Sequence, residues 1–286
     1  MSERRFLEKL RDGARVLIST RGVAMVNDRP IVSFTFDGFP KSAGVNAAAS
    51  LERRGAAGTY YTNRNFCGVA ADGIIYYDLN DLRRLVDNGH EIGGYAGGPA
   101  ARPWAGAAQL NADLEANDGF IRAEFGDLRM TTFAFPFGAI DLQTKLRMQK
   151  RFAACRSTAP GVNAGVADLG ALRAEPLFSR STDAAAVTRL IERSAQPRSW
   201  LIFFTRDVDE QPSASGCTPA LFEHALESAL AMGCQVLSVR NALGCIRFRA
   251  QAPQGNAPSA GGSDATAKPG RGRGDLLPDR DRAHSG

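Results

Sequence analysis

Chemistry needs polar groups held at fixed points, and four places in this chain offer them. The apolar run IVSFTF (31–36) stops at Asp37, followed by Gly38-Phe39-Pro40. A second place is Gly89-His90-Glu91-Ile92-Gly93-Gly94-Tyr95, and a third is Phe135-Pro136-Phe137-Gly138. The fourth is the run WLIFFT (200–205), which ends in Arg206-Asp207. A fixed carboxylate such as Asp37 can take a proton, a role worth roughly a hundredfold to ten-thousandfold in rate. It can equally cap a helix near Ser42 or fix the Gly-Phe-Pro turn. Asp207 carries the same two readings. A guanidinium at 206 is suited to grip Asp207, the Asp37 carboxylate or an anionic ligand. Histidine is scarce: His90, His224 and His284 are the three in the chain. His90 reads as a turn histidine that satisfies backbone groups, and neither of the others can rebuild a two-histidine metal site.

For these groups to meet, the elements between them must gather strand ends. Seven runs are short and rich in β-branched or aromatic residues, as buried strands are. They are IVSFTF, AGTYYT (57–62), HEIGGY (90–95), TTFAFPF (131–137), RFAACRS (151–157), WLIFFT and CQVLSV (234–239). Helical patterns lie between them, at Ser42–Arg54, from near Asp78 to a stop at Gly89, at 106–125 and at Thr182–Ser194. The last helix opens with Thr218 as N-cap and Pro219 at its first turn, and stops at Gly233. Strand–helix alternation predicts an α/β fold with a parallel sheet covered by helices. About seven units favour closure into a (β/α) barrel, where function sits at the strands' C-terminal ends. Residues 1–28 read as a helical lead-in, 29–249 as the barrel and 250–286 as a disordered tail of Gly, Pro, Ala, Ser and mixed charge.

Taken in order, a strand ending in TFD, then GHEIG, then FAFPFG, then a strand ending in TRD resembles the polysaccharide deacetylase family. This is carbohydrate esterase family 4, with its NodB-homology domain. The resemblance runs from about Ile31 to Leu243, and CTPALFEHALESALAMGCQVLSV is similar to the family's last helix and strand. It implies a distorted (β/α) barrel and metal-assisted removal of an N- or O-acetyl group from a sugar. In such a site zinc or another divalent ion lowers the pKa of a bound water from about 16 toward 7. Carried over position by position, Asp37 matches the base, but the metal-binding aspartate falls on Gly38. The two metal histidines fall on Tyr95 and Pro99, and the general acid falls on Arg206, followed by a matching Asp207. Pro136, Phe137 and Gly138 keep the family's turn, with Ala134 where the family usually has Arg. With Tyr95 they are the substrate-binding candidates. All three metal positions and the general acid are thus replaced, so no cofactor is expected. Aromatic residues near the expected mouth, among them Phe39, Tyr61, Tyr95, Trp104 and Phe137, suit the face of a sugar ring; Phe204 and Tyr60, inside strand runs, read as core.

Composition limits the remaining classes. The 286 residues carry a net charge of +5, spread along the chain, so no nucleic-acid arm is expected; Lys268 to Arg273 is the nearest thing to one. The five cysteines are odd in number and show no C-x-x-C spacing, which favours a reducing compartment. The N-terminal stretch is charged, and no apolar run approaches the roughly 20 residues of a membrane helix. A cytoplasmic protein with a carbohydrate ligand and no membrane partner is expected. The leading functional reading is a deacetylase-like protein without deacetylase activity, serving as a carbohydrate-binding or regulatory pseudoenzyme. An active hydrolase of acetylated sugars with a non-standard site and a protein-interaction module stay open.

Overall fold

Runs that are apolar on both faces need a layer above and a layer below. IVSFTFD and SWLIFFT are sheltered in this way, every residue of both being buried except Asp37 and Phe204, which are half-buried. The computed structural model describes residues 19–99, 107–138, 140–246 and 248–249. In chain order these form β1 (Gly22–Met25), β2 (Ile31–Asp37), a π-helical turn (Ala43–Ala47) leading into α1 (Ala48–Glu52), β3 (Thr59–Thr62), and a small hairpin of β4 (Ala70–Ala71) and β5 (Ile74–Ile75). Next come α2 (Leu79–Asp87), β6 (Glu91–Gly94), α3 (Ala107–Phe125), β7 (Thr132–Ala134), α4 (Leu142–Arg151), β8 (Ala154–Arg156), β9 (Asn163–Ala164), β10 (Val166–Asp168) and β11 (Glu175–Pro176). The chain continues through α5 (Ala184–Ser194), β12 (Ser199–Thr205), α6 (Pro219–Ala231), β13 (Gln235–Val236), α7 (Val239–Cys245) and β14 (Phe248–Arg249).

The main sheet runs β11-β12-β2-β3-β6-β7-β8, all parallel, with β13 also along β2 and β9 antiparallel to β12. Its two ends, β8 and β11, are drawn together by one irregular stretch. The Leu172 amide donates to the Cys155 carbonyl at 2.7 Å, the Leu172 carbonyl accepts from Ser157 at 2.8 Å, and a few residues later Glu175 and Pro176 pair with β12. The expected distorted (β/α) barrel is therefore present as a curled parallel sheet.

Several predicted elements differ. Residues 22–25 of the supposed lead-in are a strand, held between β10 and β14. The strand predicted over 131–137 stops at Ala134, because Pro136 has no amide to extend a ladder and opens a 3₁₀ turn instead. The one predicted over 234–239 is cut to two residues by Ser238, whose hydroxyl accepts from the Asn241 amide and starts α7. Ser42, at the head of the π-helical turn, makes no side-chain cap. The caps read at Asp78 and Thr218 form as expected. Residues 1–18, Trp104, His284 and the tail from 250 lie outside the described residues. The five cysteines are free, and among the described residues no helix is long and apolar enough to cross a membrane.

The GHE stretch fixes the end of the barrel opposite the strand C-termini. The His90 ring accepts from the Gly58 amide at 3.0 Å through Nδ1, which leaves its other nitrogen to donate to Glu52 at 3.1 Å. Burial pushes the imidazole below its usual value, against the pull of Glu52. Glu91 is fully buried and accepts from Thr59 (2.9 Å), Thr132 (2.6 Å) and the Arg240 amide (2.7 Å), tying β3, β7 and α7 to β6. Burial nonetheless pushes its carboxyl above the ordinary value. A raised carboxyl gives stability that is complete below its ordinary pKa and is lost as pH rises through the folded one. We expect Glu91→Gln to flatten that loss, so that variant and parent converge in urea midpoint at low pH and the parent falls faster as pH rises. Parallel curves for the two proteins would show that Glu91 does not set the slope.

Candidate functional site

The parallel sheet brings the ends of β2, β6, β7, β8 and β12 to one rim, and the polar groups stand there. Asp37 is the last residue of β2 and pairs in register with Tyr61 of β3. Its carboxylate is not gripped by Arg206. It is held by Arg156, the last residue of β8, whose Nη2 donates to both Asp37 oxygens. Arg156 is fully buried, with its guanidinium 5.5 Å from the Tyr61 ring centre and 5.0 Å from that of Phe204. It stands beside Ala134 in the β7–β8 register, the position where the resemblance expects an arginine. Burial pushes the Asp37 carboxyl above its ordinary value, against the opposing pull of Arg156 and, further off, of Arg206.

The metal positions are closed by packing as well as by residue type. Gly38 has a positive φ of 45°, and a Cβ there would lie 2.8 Å from Cζ of Phe66. The Phe66 ring thus fills the space into which a side chain at 38 would project. Tyr95 is buried, and burial holds its phenol far above the usual value, so it offers no phenolate oxygen. Pro99 has no donor atom. Among the described residues no three His, Cys, Asp or Glu side chains cluster in a way that would hold an ion. The residues present do not fit the family's divalent metal, and no chemical step is routed through one.

Arg206 and Asp207 part company at the end of β12. Arg206 turns toward Tyr76, donating to its hydroxyl at 2.5 Å with the guanidinium 5.5 Å from the ring centre. Asp207 is buried and accepts from the Ser213 amide at 2.7 Å and the Ser213 hydroxyl, so it closes the loop that returns at Cys217. The two do not form an ion pair. Pro136-Phe137-Gly138 forms its turn beside the site, with Gly138 packed against Thr158. His224 bridges α5 and α6 through Thr188 at 2.8 Å.

What remains is a cavity of about 170 Å³ lined by Asp37, Phe66, Tyr95, Pro99, Phe204 and Arg206, with Thr158, Phe178 and Ser215 at its edge. Four sequence candidates, Asp37, Tyr95, Pro99 and Arg206, meet here; Asp207 does not line it. Sequence reasoning missed Arg156 and Phe66. The one signal for Arg156 was a charge near the end of the run RFAACRS, and Phe66 gave none, because it reaches the site from a 3₁₀ turn outside the predicted elements.

Comparison with known proteins follows the same outline. Residues 25–152 match the polysaccharide deacetylase family. No curated protein matches the sequence. Among solved structures, the T48 deacetylase with substrate superposes at a TM-score of 0.53 and 15% identity, over 77% of this chain and 94% of that one. A peptidoglycan N-acetylglucosamine deacetylase in complex with a hydroxamate-type benzamide superposes at 0.54 and 12%, over 76% and 90%. A carbohydrate esterase family 4 pseudoenzyme from Bacillus anthracis superposes at 0.51 and 12%, over 76% and 66%. At these identities the likeness is one of fold.

Proposed function

From the premise that this chain belongs to the polysaccharide deacetylase family, we propose that it binds a carbohydrate in the strand-end cavity without deacetylating it. The observation that carries this reading is the fate of Asp37. A general base must accept a proton from water, and both oxygens of this carboxylate accept from Arg156, whose positive charge opposes that protonation. With Gly38, Tyr95 and Pro99 at the ligand positions, no metal site remains among the described residues to activate a water. A proton donor is missing too, because a guanidinium stays charged at any working pH. Losing metal and acid together removes several powers of ten in rate.

The cavity itself persists. Its aromatic walls and hydroxyl rim suit a sugar, whose rings present both apolar faces and polar edges. The fold tolerates loss of the chemistry, as one solved structure of it is a pseudoenzyme and another is a mutant of that protein with restored activity. The expected result is no acetate above the no-enzyme rate from N-acetylchitooligosaccharides or acetylated xylan, with or without added zinc, and measurable glycan binding by the same preparation. Acetate release that tracks stoichiometric zinc would overturn the reading, and so would an absence of binding across a glycan array.

A further inference from the structure

We infer that the cavity selects a sugar carrying a carboxylate, with Arg206 as the group that recognises it. This rests on the carbohydrate-binding reading above. Among the described residues three charged side chains bear on the cavity: Asp37, Arg156 and Arg206. Asp37 and Arg156 cancel one another. Arg206 has no carboxylate within ion-pair distance among the described residues; its side-chain partner is the neutral hydroxyl of Tyr76. A guanidinium offers five N–H donors, and that bond uses one. The cavity therefore carries one uncompensated positive charge with open donors.

The surroundings raise the value of that charge. Phe66, Tyr95, Phe178 and Phe204 wall the cavity with apolar surface, where a charge-assisted hydrogen bond is stronger than in open water. One net charge matches a monoanion. A phosphate, with nearly two charges, would sit against the Asp37 carboxylate on the same wall with only one cation to balance it. Thr158 and Ser215 add hydroxyls for a sugar's own hydroxyl groups. The volume of about 170 Å³ is below the roughly 300 Å³ at which pockets for drug-sized ligands begin, so it fits one residue of a chain rather than several.

A uronic acid residue meets all of these conditions: one ring, one carboxylate, several hydroxyls. A neutral N-acetylated sugar would cover this half-buried guanidinium without answering its charge, and a charge taken out of water unpaired is costly.

The test is calorimetric titration of the full chain with short oligosaccharides of glucuronate, galacturonate and mannuronate, each beside its neutral methyl ester, and with N-acetylchitotriose. At least one acid form should bind about tenfold or more tighter than its ester, as a hydrogen-bonded charge pair implies. Arg206→Gln should erase that preference and Arg206→Lys should keep part of it, with thermal midpoints showing that both variants fold. Equal binding of acid and ester, or a preference that survives Arg206→Gln, overturns the inference. Binding of N-acetylchitotriose alone overturns it as well while leaving the carbohydrate-binding reading intact. No binding by any probe removes both.

Discussion

Arg156→Met is expected to destabilise the fold by about 3–5 kcal/mol, the cost of leaving a buried charge without its partner. Arg156 is fully buried, and the Asp37 side chain is 13% exposed, so water does little to replace the lost guanidinium. Burial already pushes Asp37 above its ordinary pKa while Arg156 pulls it down. With Arg156 gone the carboxyl rises further and protonates in preference to staying charged. The variant's deficit should therefore shrink as pH falls and the carboxyl neutralises. Removing both charges, as in Asp37→Leu with Arg156→Met, should recover most of the loss, because a buried pair replaced by apolar groups is often neutral in stability. Urea unfolding at neutral and acid pH measures all three. A loss for Arg156→Met near that of a surface substitution, roughly within 0.5 kcal/mol, would mean that the pair does not anchor the rim.

The second large effect concerns Gly38, where writing the family's aspartate back is expected to fail while Phe66 stays in place. Gly38→Asp forces a side chain into a backbone with φ of 45° and to within 2.8 Å of the Phe66 ring edge. The left-handed backbone costs about 1–2 kcal/mol for a residue with a Cβ, somewhat less for Asp, and overpacking adds about 1–3. Combined with Phe66→Ala, the second part disappears. The double variant should be more stable than the sum of the two single losses by at least about 1 kcal/mol, which a double-mutant cycle reads directly. Zinc should follow the same logic. The fourfold variant Gly38→Asp, Tyr95→His, Pro99→His and Arg206→His should bind no stoichiometric zinc until Phe66→Ala is added. Tight zinc binding with Phe66 present would show that the ring yields, and that side-chain identity alone had closed the site.

Much of the scaffold was legible in the sequence because its signals are local. The capping residues Asp78 and Thr218 act on amides two or three positions away, and the double-faced apolar runs of β2 and β12 announce burial wherever they are placed. His90 was also readable as a bonded turn histidine, since its backbone partner, Gly58, lies near the start of the preceding strand run. Strand ends were less legible. TTFAFPF and CQVLSV look continuous in composition, but a missing proline amide and a serine cap cut them short.

The sequence by itself determined that the chain would form a parallel α/β barrel and that four chemical positions, Gly38, Tyr95, Pro99 and Arg206, lacked the groups the family uses. Those are statements about side-chain identity and local periodicity, which need no knowledge of neighbours. Only the tertiary structure decided what took their place. Arg156 lies 119 residues from Asp37, and Phe66 comes from a 3₁₀ turn between β3 and β4. Their partnership with the rim depends on the sheet curling until β8 faces β2, a long-range geometry that no spacing in the chain encodes. That curl gave Asp37 to Arg156 and left the Arg206 guanidinium lining the cavity with no carboxylate partner among the described residues.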